Sequence, residues 1–182
     1  TPHTIDVGTD PFPSFCEGIP SDAMGGSVGG SATSGVWSGG VAANWTNPND
    51  PLNATYTPSA GEASPITVTL TSNGGGCPQV SGQKTLAWTS TPTVTGTLDA
   101  CIGSTTQLTG SAPLGGSTWS SATLGVATVD ATGLVSGVSA GTSVITYTDG
   151  NGCFVDETVT INALPTVTGT LDACIGSTTQ LT

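Results

Sequence analysis

Short runs of alternating apolar and polar residues recur along this chain, separated by clusters of glycine, proline and asparagine. The opening His3-Thr-Ile-Asp-Val-Gly8 alternates and predicts a first strand, and Asp10-Pro-Phe-Pro-Ser-Phe15 ends it. Asn47-Pro-Asn-Asp-Pro51 is a turn cluster, followed by a short strand over 52–56. Pro65-Ile-Thr-Val-Thr-Leu70 sets Ile66, Val68 and Leu70 on one face, Asn73-Gly-Gly-Gly76 turns the chain, and Lys84-Thr-Leu-Ala-Trp88 alternates again. The second half reads more cleanly. Strands are predicted over 93–98, with Val94 and Leu98 on one face, and over 104–110, 117–120, 126–130, 134–137 and 142–148. Asp149-Gly-Asn-Gly152 is a hairpin signal, and 153–162 carries Val155, Val159 and Ile161 on one face. Thr and Val suit a pleated, half-buried surface and Gly and Pro punctuate turns, so the class reads as all-β.

The runs fall into repeats. Residues 92–109 read Pro-Thr-Val-Thr-Gly-Thr-Leu-Asp-Ala-Cys-Ile-Gly-Ser-Thr-Thr-Gln-Leu-Thr and recur letter for letter as 165–182, an offset of 73. Unrelated segments do not coincide over 18 residues, so the chain is a piece of a tandem array. Module one is expected at 1–91, module two at 92–164, and 165–182 opens a third repeat. Both modules share a plan: Cys-x-Gly, then Trp-Ser at Trp37 and Trp119, then a second cysteine after a Gly-rich turn. About seven short strands per module fit an immunoglobulin-like β-sandwich, with Trp37 and Trp119 packed between its sheets.

Charge narrows the partners. Lys84 is the only Lys or Arg against 12 acidic residues, for a net charge of −11. Such a chain has nothing to hold phosphates electrostatically, so nucleic acid and anionic membrane are poor partners. No apolar run is long enough to span a bilayer. The absence of an initiator Met or signal peptide points to an internal or processed piece. The five cysteines fall in register with the modules, and without a CxxC or Cys–His cluster they do not read as a zinc site. The expected pairs are Cys16–Cys77 and Cys101–Cys153, one cystine per module, in an oxidising, extracellular compartment. Cys174, the mate of Cys101, is left for a partner outside the segment.

Residues 117–148, from Ser-Thr-Trp-Ser-Ser through Val-Ala-Thr-Val-Asp-Ala-Thr-Gly-Leu-Val-Ser-Gly-Val-Ser-Ala-Gly-Thr-Ser-Val-Ile-Thr-Tyr-Thr, resemble the group 2 bacterial immunoglobulin-like domain of intimin-type and other adhesins. Module one, with Gly30-Ser-Ala-Thr-Ser-Gly-Val-Trp-Ser-Gly-Gly40 and Leu52-Asn-Ala-Thr-Tyr-Thr-Pro-Ser-Ala60, resembles another immunoglobulin-like repeat, of the kind found in very large surface proteins of Bacteroidota. The resemblance implies a stalk, fibre or adhesive array on the cell surface, and it transfers no catalytic residue.

Candidate chemistry is sparse. His3, the only histidine, has no Ser–Asp neighbours, so a nucleophile–base arrangement is not expected. Asp99, Asp130, Asp149, Asp156 and Glu157 read as solvated turn residues rather than paired catalytic carboxylates. Asp149-Gly-Asn-Gly152 is the best local Ca²⁺ candidate, but it lacks the alternating Asp ladder and reads as a hairpin turn. Phe12, Phe15, Trp45, Tyr56 and Trp88 are the candidates for a glycan-stacking platform, with core packing as the competing use. Asn44 and Asn53 match a glycosylation sequon. No metal or cofactor is expected. The tail offers about two strands, marginal alone in water, with Val167, Leu171, Ile175 and Leu181 in need of a partner surface. That partner is either the next module of the array or a neighbouring subunit completed by strand addition. The reading is a non-enzymatic structural or adhesive repeat region whose partners are other copies or neighbouring modules. The alternative is a carbohydrate- or ligand-binding module of a secreted protein, with surface glycans as partners.

Overall fold

The computed structural model describes residues 1–111, 116–166, 168–169, 174–176 and 178–180. The regular elements among them are strands, apart from a single 3-10 turn at Ala42–Asn44. The chain forms two compact units: Thr1–Pro92 with Asn151–Cys153, and Thr93–Gly150 with Phe154–Thr182.

The first unit contains β1 (Thr4–Asp6), β2 (Phe15–Cys16), β3 (Ser27–Gly29), β4 (Ser34–Ser38), β5 (Trp45–Thr46), β6 (Thr55–Tyr56), β7 (Ile66–Asn73), β8 (Ser81–Leu86) and β9 (Trp88–Thr89). A three-stranded sheet β4-β7-β8 is its main layer, and β1-β3, β5-β6 and the parallel pair β2-β9 complete it. Alternation decides what is buried. Strand β7 turns Val68, Leu70 and Ser72 inward, and β8 turns in Lys84 and Leu86, in phase with Trp88 of β9. These meet Trp37, Met24, Ala54, Tyr56 and Phe12 in one core.

The second unit contains β10 (Val94–Gly96), β11 (Asp99–Cys101), β12 (Thr105–Gly110), β13 (Thr118–Ser121), β14 (Ala127–Val129), β15 (Leu134–Gly137), β16 (Gly141–Thr148) and β17 (Phe154–Asn162). Two four-stranded sheets, β10-β12-β15-β14 and β11-β17-β16-β13, make a sandwich. Leu108, Ala127 and Val135 of the first sheet pack against Ile145, Val159 and Ile161 of the second. Trp119 packs half-buried against this core, its ring 4.7 Å from that of Tyr147. Gly110 lies against the face of the Tyr147 ring: a Cβ there would stand 2.3 Å from Cζ. Gly110→Ala is therefore expected to displace Tyr147 and cost about 1–3 kcal/mol, the usual penalty of overpacking. Denaturant unfolding measures the cost, and near-ultraviolet circular dichroism reports the disturbed Trp119–Tyr147 pair.

The cysteines depart from the pairing predicted by their spacing. Cys16 bonds to Cys153, with Cα atoms 5.6 Å apart, and Cys77 and Cys101 carry thiols. Strand register explains why neither Cys16–Cys77 nor Cys101–Cys153 forms. Cys16 lies beside Thr89, whereas Cys77 precedes Ser81 at the other end of the same extended run. The eight steps from 81 to 89, at about 3.3 Å each, separate the two ends by about 26 Å. Cys101 lies beside Asn162 at the end of β17, and Cys153 immediately precedes Phe154 at its start. The eight steps from 154 to 162 again give about 26 Å. A disulfide needs Cα atoms within about 7 Å. Each sequence repeat thus holds its two cysteines at opposite ends of a strand it cannot shorten.

Candidate functional site

The two Cys-x-Gly turns are built alike. Each cysteine ends a short strand that runs parallel to the last strand of its repeat, beside Thr89 for Cys16 and beside Asn162 for Cys101. Those partners stand three residues before Pro92 and Pro165, where the identical 18-residue stretches begin. The next residue then donates its N–H to the partner's carbonyl, Glu17 to Thr89 at 2.8 Å and Ile102 to Asn162 at 3.0 Å. A glycine with positive φ follows, Gly18 at 74° and Gly103 at 76°. The turn closes from Ile19 N–H to the Cys16 carbonyl at 3.2 Å, and from Ser104 N–H to the Cys101 carbonyl at 3.0 Å. The residue before each cysteine, Phe15 or Ala100, packs on a core. Strand alternation therefore sends the sulfur the other way.

The two remaining cysteines also match. Cys77 sits in the connection between β7 and β8, and Cys153 in the connection between β16 and β17. Each follows a glycine in the left-handed region, Gly76 at φ 69° and Gly152 at φ 86°. Cys153 is buried in its cystine, whereas Cys77 is half-buried, its Sγ–H donating to the Thr1 carbonyl at 3.5 Å.

The other candidates serve the fold. His3 is buried and its Nδ1 lies 2.8 Å from Ser72 Oγ, a serine–histidine pair that sequence reading did not anticipate. Ser72 has no exposed surface, and its Oγ donates to the Val80 carbonyl and accepts the Val80 N–H. No substrate carbon can reach that oxygen, so the pair fastens the β7–β8 connection. The five candidate stacking rings run through the first core in edge-to-face and tilted contacts. Phe12 to Phe15, Phe15 to Trp88, Trp88 to Tyr56 and Tyr56 to Trp45 have ring centres 5.1–6.2 Å apart. Trp45 stacks on the buried Trp37 and lines a pocket of about 170 Å³ with Gly39, Gly40 and Pro48.

Tyr56 holds a knot of polar groups. Its hydroxyl donates to Glu62 and accepts the Val41 N–H at 2.8 Å, while Asn44 Nδ2 donates to Glu62 at 2.7 Å. Asn44 Oδ1 accepts from Ser59, so the amide of this sequon is engaged on both sides. Burial, then the Glu62 hydrogen bond, raises the Tyr56 pKa above its usual 10. A raised folded pKa contributes stability that is full below pH 10 and lost as pH climbs through the folded value. Tyr56→Phe is expected to cost about 1–3 kcal/mol by leaving the Val41 N–H without its acceptor. It should also abolish this alkaline loss, which denaturant midpoints collected against pH would show.

Three of the five candidate carboxylates accept hydrogen bonds from neighbouring side chains. Asp130 Oδ1 accepts from Thr132 N and Oγ at 2.8 and 2.7 Å and from Leu134 N at 3.1 Å, which lowers its pKa, the Thr132 side chain contributing most. Asp99 accepts from Asn162, and Asp156 from Thr146. Asp149 is buried, and Glu157 is half-buried. Among the described residues, no three His, Cys, Asp or Glu side chains converge to hold a metal ion.

In the tail, Val167, Leu171 and Leu181 lie outside the described residues. The expected pair of strands does not form among the described ones. The same letters at 92–109 supply β10, β11 and all but the last residue of β12. Turn geometry survives the change of context: Gly169 and Gly176 keep φ of 136° and 87°, beside 132° and 76° at Gly96 and Gly103. Glycine turns are set locally, whereas a strand needs a neighbour, which β17 supplies to β11 and β12 to β10. Ile175 is fully exposed, and its mate Ile102 packs on the second core. Cys174 is exposed.

Residues 102–161 match the family of bacterial Ig-like domains, group 2, a span that contains the motif read at 117–148. No curated protein sequence matches the chain. Among solved structures, a mutant of intimin from EHEC O157:H7 aligns at 28% identity over 42% of this chain and 40% of its own, with a TM-score of 0.32. The C-terminal 282-residue fragment of intimin, solved with the intimin-binding domain of its translocated receptor, aligns at 17% identity over 93% of this chain and 66% of its own, TM-score 0.44. The insect immune protein hemolin aligns at 17% identity over 87% and 46%, also with a TM-score of 0.44. The chain thus spans 40–66% of the length of these proteins. The fold is all-β and immunoglobulin-like.

Proposed function

We propose that this chain is a stretch of an extracellular array of immunoglobulin-like modules with a structural and adhesive role, and that it performs no catalysis. The observation that carries the reading is the exact recurrence of 92–109, which builds three strands of the second unit, at 165–182. A sequence that recurs at module spacing is made for repetition rather than for one substrate. A cystine between Cys16 and Cys153 suits an oxidising, extracytoplasmic setting. The near absence of cations leaves protein surfaces and glycans, rather than nucleic acid, as the partners. Antibodies against the chain should label intact, unpermeabilised source cells, and protease treatment of those cells should strip the label. Label confined to permeabilised cells would overturn the location and, with it, the role.

The pocket beside Trp45 favours a second reading, a ligand-binding module. Retention on a glycan array that Trp45→Ala abolishes would support it. An adhesin that works through module surfaces keeps its binding in that variant.

A further inference from the structure

We propose that Cys101 and Cys77 are the open halves of the same cystine that Cys16 and Cys153 form. In this scheme the cysteine of each Cys-x-Gly turn bonds the hairpin cysteine of the following repeat, and two copies of this chain can join as Cys101 to Cys77. The inference takes the repetition of modules from the proposed function and adds how successive repeats are sealed.

Three observations converge. The turns at Cys16 and Cys101 agree in strand partner, backbone hydrogen bonds and glycine conformation, and Cys16 is already bonded. The hairpin cysteines Cys77 and Cys153 agree in position, and Cys153 is already bonded. A repeat cannot pair its own two cysteines, because they stand at opposite ends of one strand run, about 26 Å apart. The bond that does form sets the direction. Cys16 of the first sequence repeat reaches Cys153 of the second, 137 positions downstream. By that rule Cys101 takes a hairpin cysteine of a later repeat, and Cys77 takes a turn cysteine of an earlier one. Both are half-buried and carry thiols, so a reagent can reach them. A later repeat in a longer chain and the first repeat of a second copy offer the same sulfur.

The chemistry balances with a small-molecule disulfide as oxidant. The Cys101 thiolate attacks oxidised glutathione, forming a mixed disulfide and releasing one glutathione thiolate. The Cys77 thiolate of a second copy attacks the protein sulfur of that mixed disulfide, forming the cystine and releasing the second glutathione. The two protons lost by the protein thiols end on the two released glutathione thiols, which are the reduced products. A head-to-tail bond of this kind is heterologous, so it propagates rather than closing at a dimer.

The test uses the whole chain with Cys174→Ser, which removes a second turn-type cysteine. Incubation with a glutathione redox buffer should give a ladder on a non-reducing gel, in steps of one 17.7 kDa chain, that a reductant collapses to monomer. Adding Cys77→Ser or Cys101→Ser should leave monomer alone. A 1:1 mixture of those two variants should give a dimer that grows no further, and peptide mapping should find Cys101 joined to Cys77 with Cys16–Cys153 intact in every species. Any of four results would overturn the proposal: persistent monomer with both thiols open, Cys101 joined to Cys101, Cys77 joined to Cys101 within one chain, or the map Cys16–Cys77 with Cys101–Cys153. Surface labelling of cells reads the proposed function separately, so either idea can fail alone. The intact Cys16–Cys153 bond certifies that each variant has folded.

Discussion

Lys84→Ala is expected to destabilise the first unit by about 3–4 kcal/mol, although it removes the only Lys or Arg of a chain with net charge −11. The side chain is 1% exposed. Its ammonium donates to the Met24 carbonyl at 2.7 Å and lies 4.9 and 5.4 Å from the ring centres of Phe12 and Trp37. Truncation removes a packed stem, opens a cavity and takes the donor from a buried carbonyl. Lys84→Met separates packing from charge. It keeps the volume, trading the ammonium's desolvation against the loss of the Met24 hydrogen bond, and should stay within about 1.5 kcal/mol of the parent near neutral pH. Burial lowers the Lys84 pKa below 10.5, with Asp10 and Asp6 opposing weakly. A base whose folded pKa is lowered sheds its proton in the folded state first. Between the folded value and 10.5 the unfolded chain holds more protons, so stability rises with pH across that window and is lost as pH falls through it. The parent should therefore gain on Lys84→Met as pH approaches 10.5, with Tyr56 common to both and cancelling. Equal pH profiles in the two proteins would show that the ammonium is not buried. Amine-reactive reagents offer a second reading: Lys84 should label only after the first unit unfolds.

Lys84 also shows what alternation makes legible and what it hides. The pattern Lys84-Thr-Leu-Ala-Trp88 places residue 84 in phase with Leu86 and Trp88, so its inward direction could be read from the sequence. Its tolerance inside could not, because that depends on Met24, Phe12 and Trp37, which sit 47 or more positions away. The long strands β7 and β17 were readable for the same reason, their apolar residues recurring at period two. Some of the short ones were readable too, such as Leu134–Gly137, and others were not. The strands read over 93–98 and 104–110 leave Cys101 between them, yet Asp99–Cys101 is a strand because β17 offers it a parallel edge. The tail makes the point within one molecule, where identical letters form strands beside β12 and β17 and none among the described residues of 165–182. The cysteines were misread for a related reason. Their spacing carries the period of the array, while pairing depends on which end of a strand each occupies, and that is a property of register. The Ser72–His3 pair, 69 positions apart, had no sequence signal at all.

Opening the Cys16–Cys153 bond is expected to be the costliest single chemical change to this chain. A cystine that closes 137 residues removes about 5 kcal/mol of loop entropy from the unfolded ensemble on the chain-entropy model, and more typical losses are 2–4 kcal/mol. Reduction or Cys16→Ser should lower the denaturant midpoint accordingly, whereas Cys77→Ser and Cys101→Ser should leave the monomer's midpoint close to the parent's. The mechanical consequence is larger and more direct. Pulled from its two ends, the oxidised chain cannot extend between positions 16 and 153, because the sulfur bridge carries the tension around them. At about 3.5 Å per extended residue, those 137 positions hold back roughly 480 Å of contour. Single-molecule stretching should therefore show a short extension under oxidising conditions and release that length once a reductant is added. If the full contour appears without reductant, Cys16 and Cys153 are not joined. A shorter release, roughly 400 Å in two fractions at about 3.5 Å per residue, would instead mean that the cystines close within each repeat, against the strand register that keeps those pairs about 26 Å apart. If the bond recurs at each repeat as Cys101 and Cys77 suggest, force along an array would run from sulfur to sulfur. The sandwiches would then unfold only after the covalent thread had been cut.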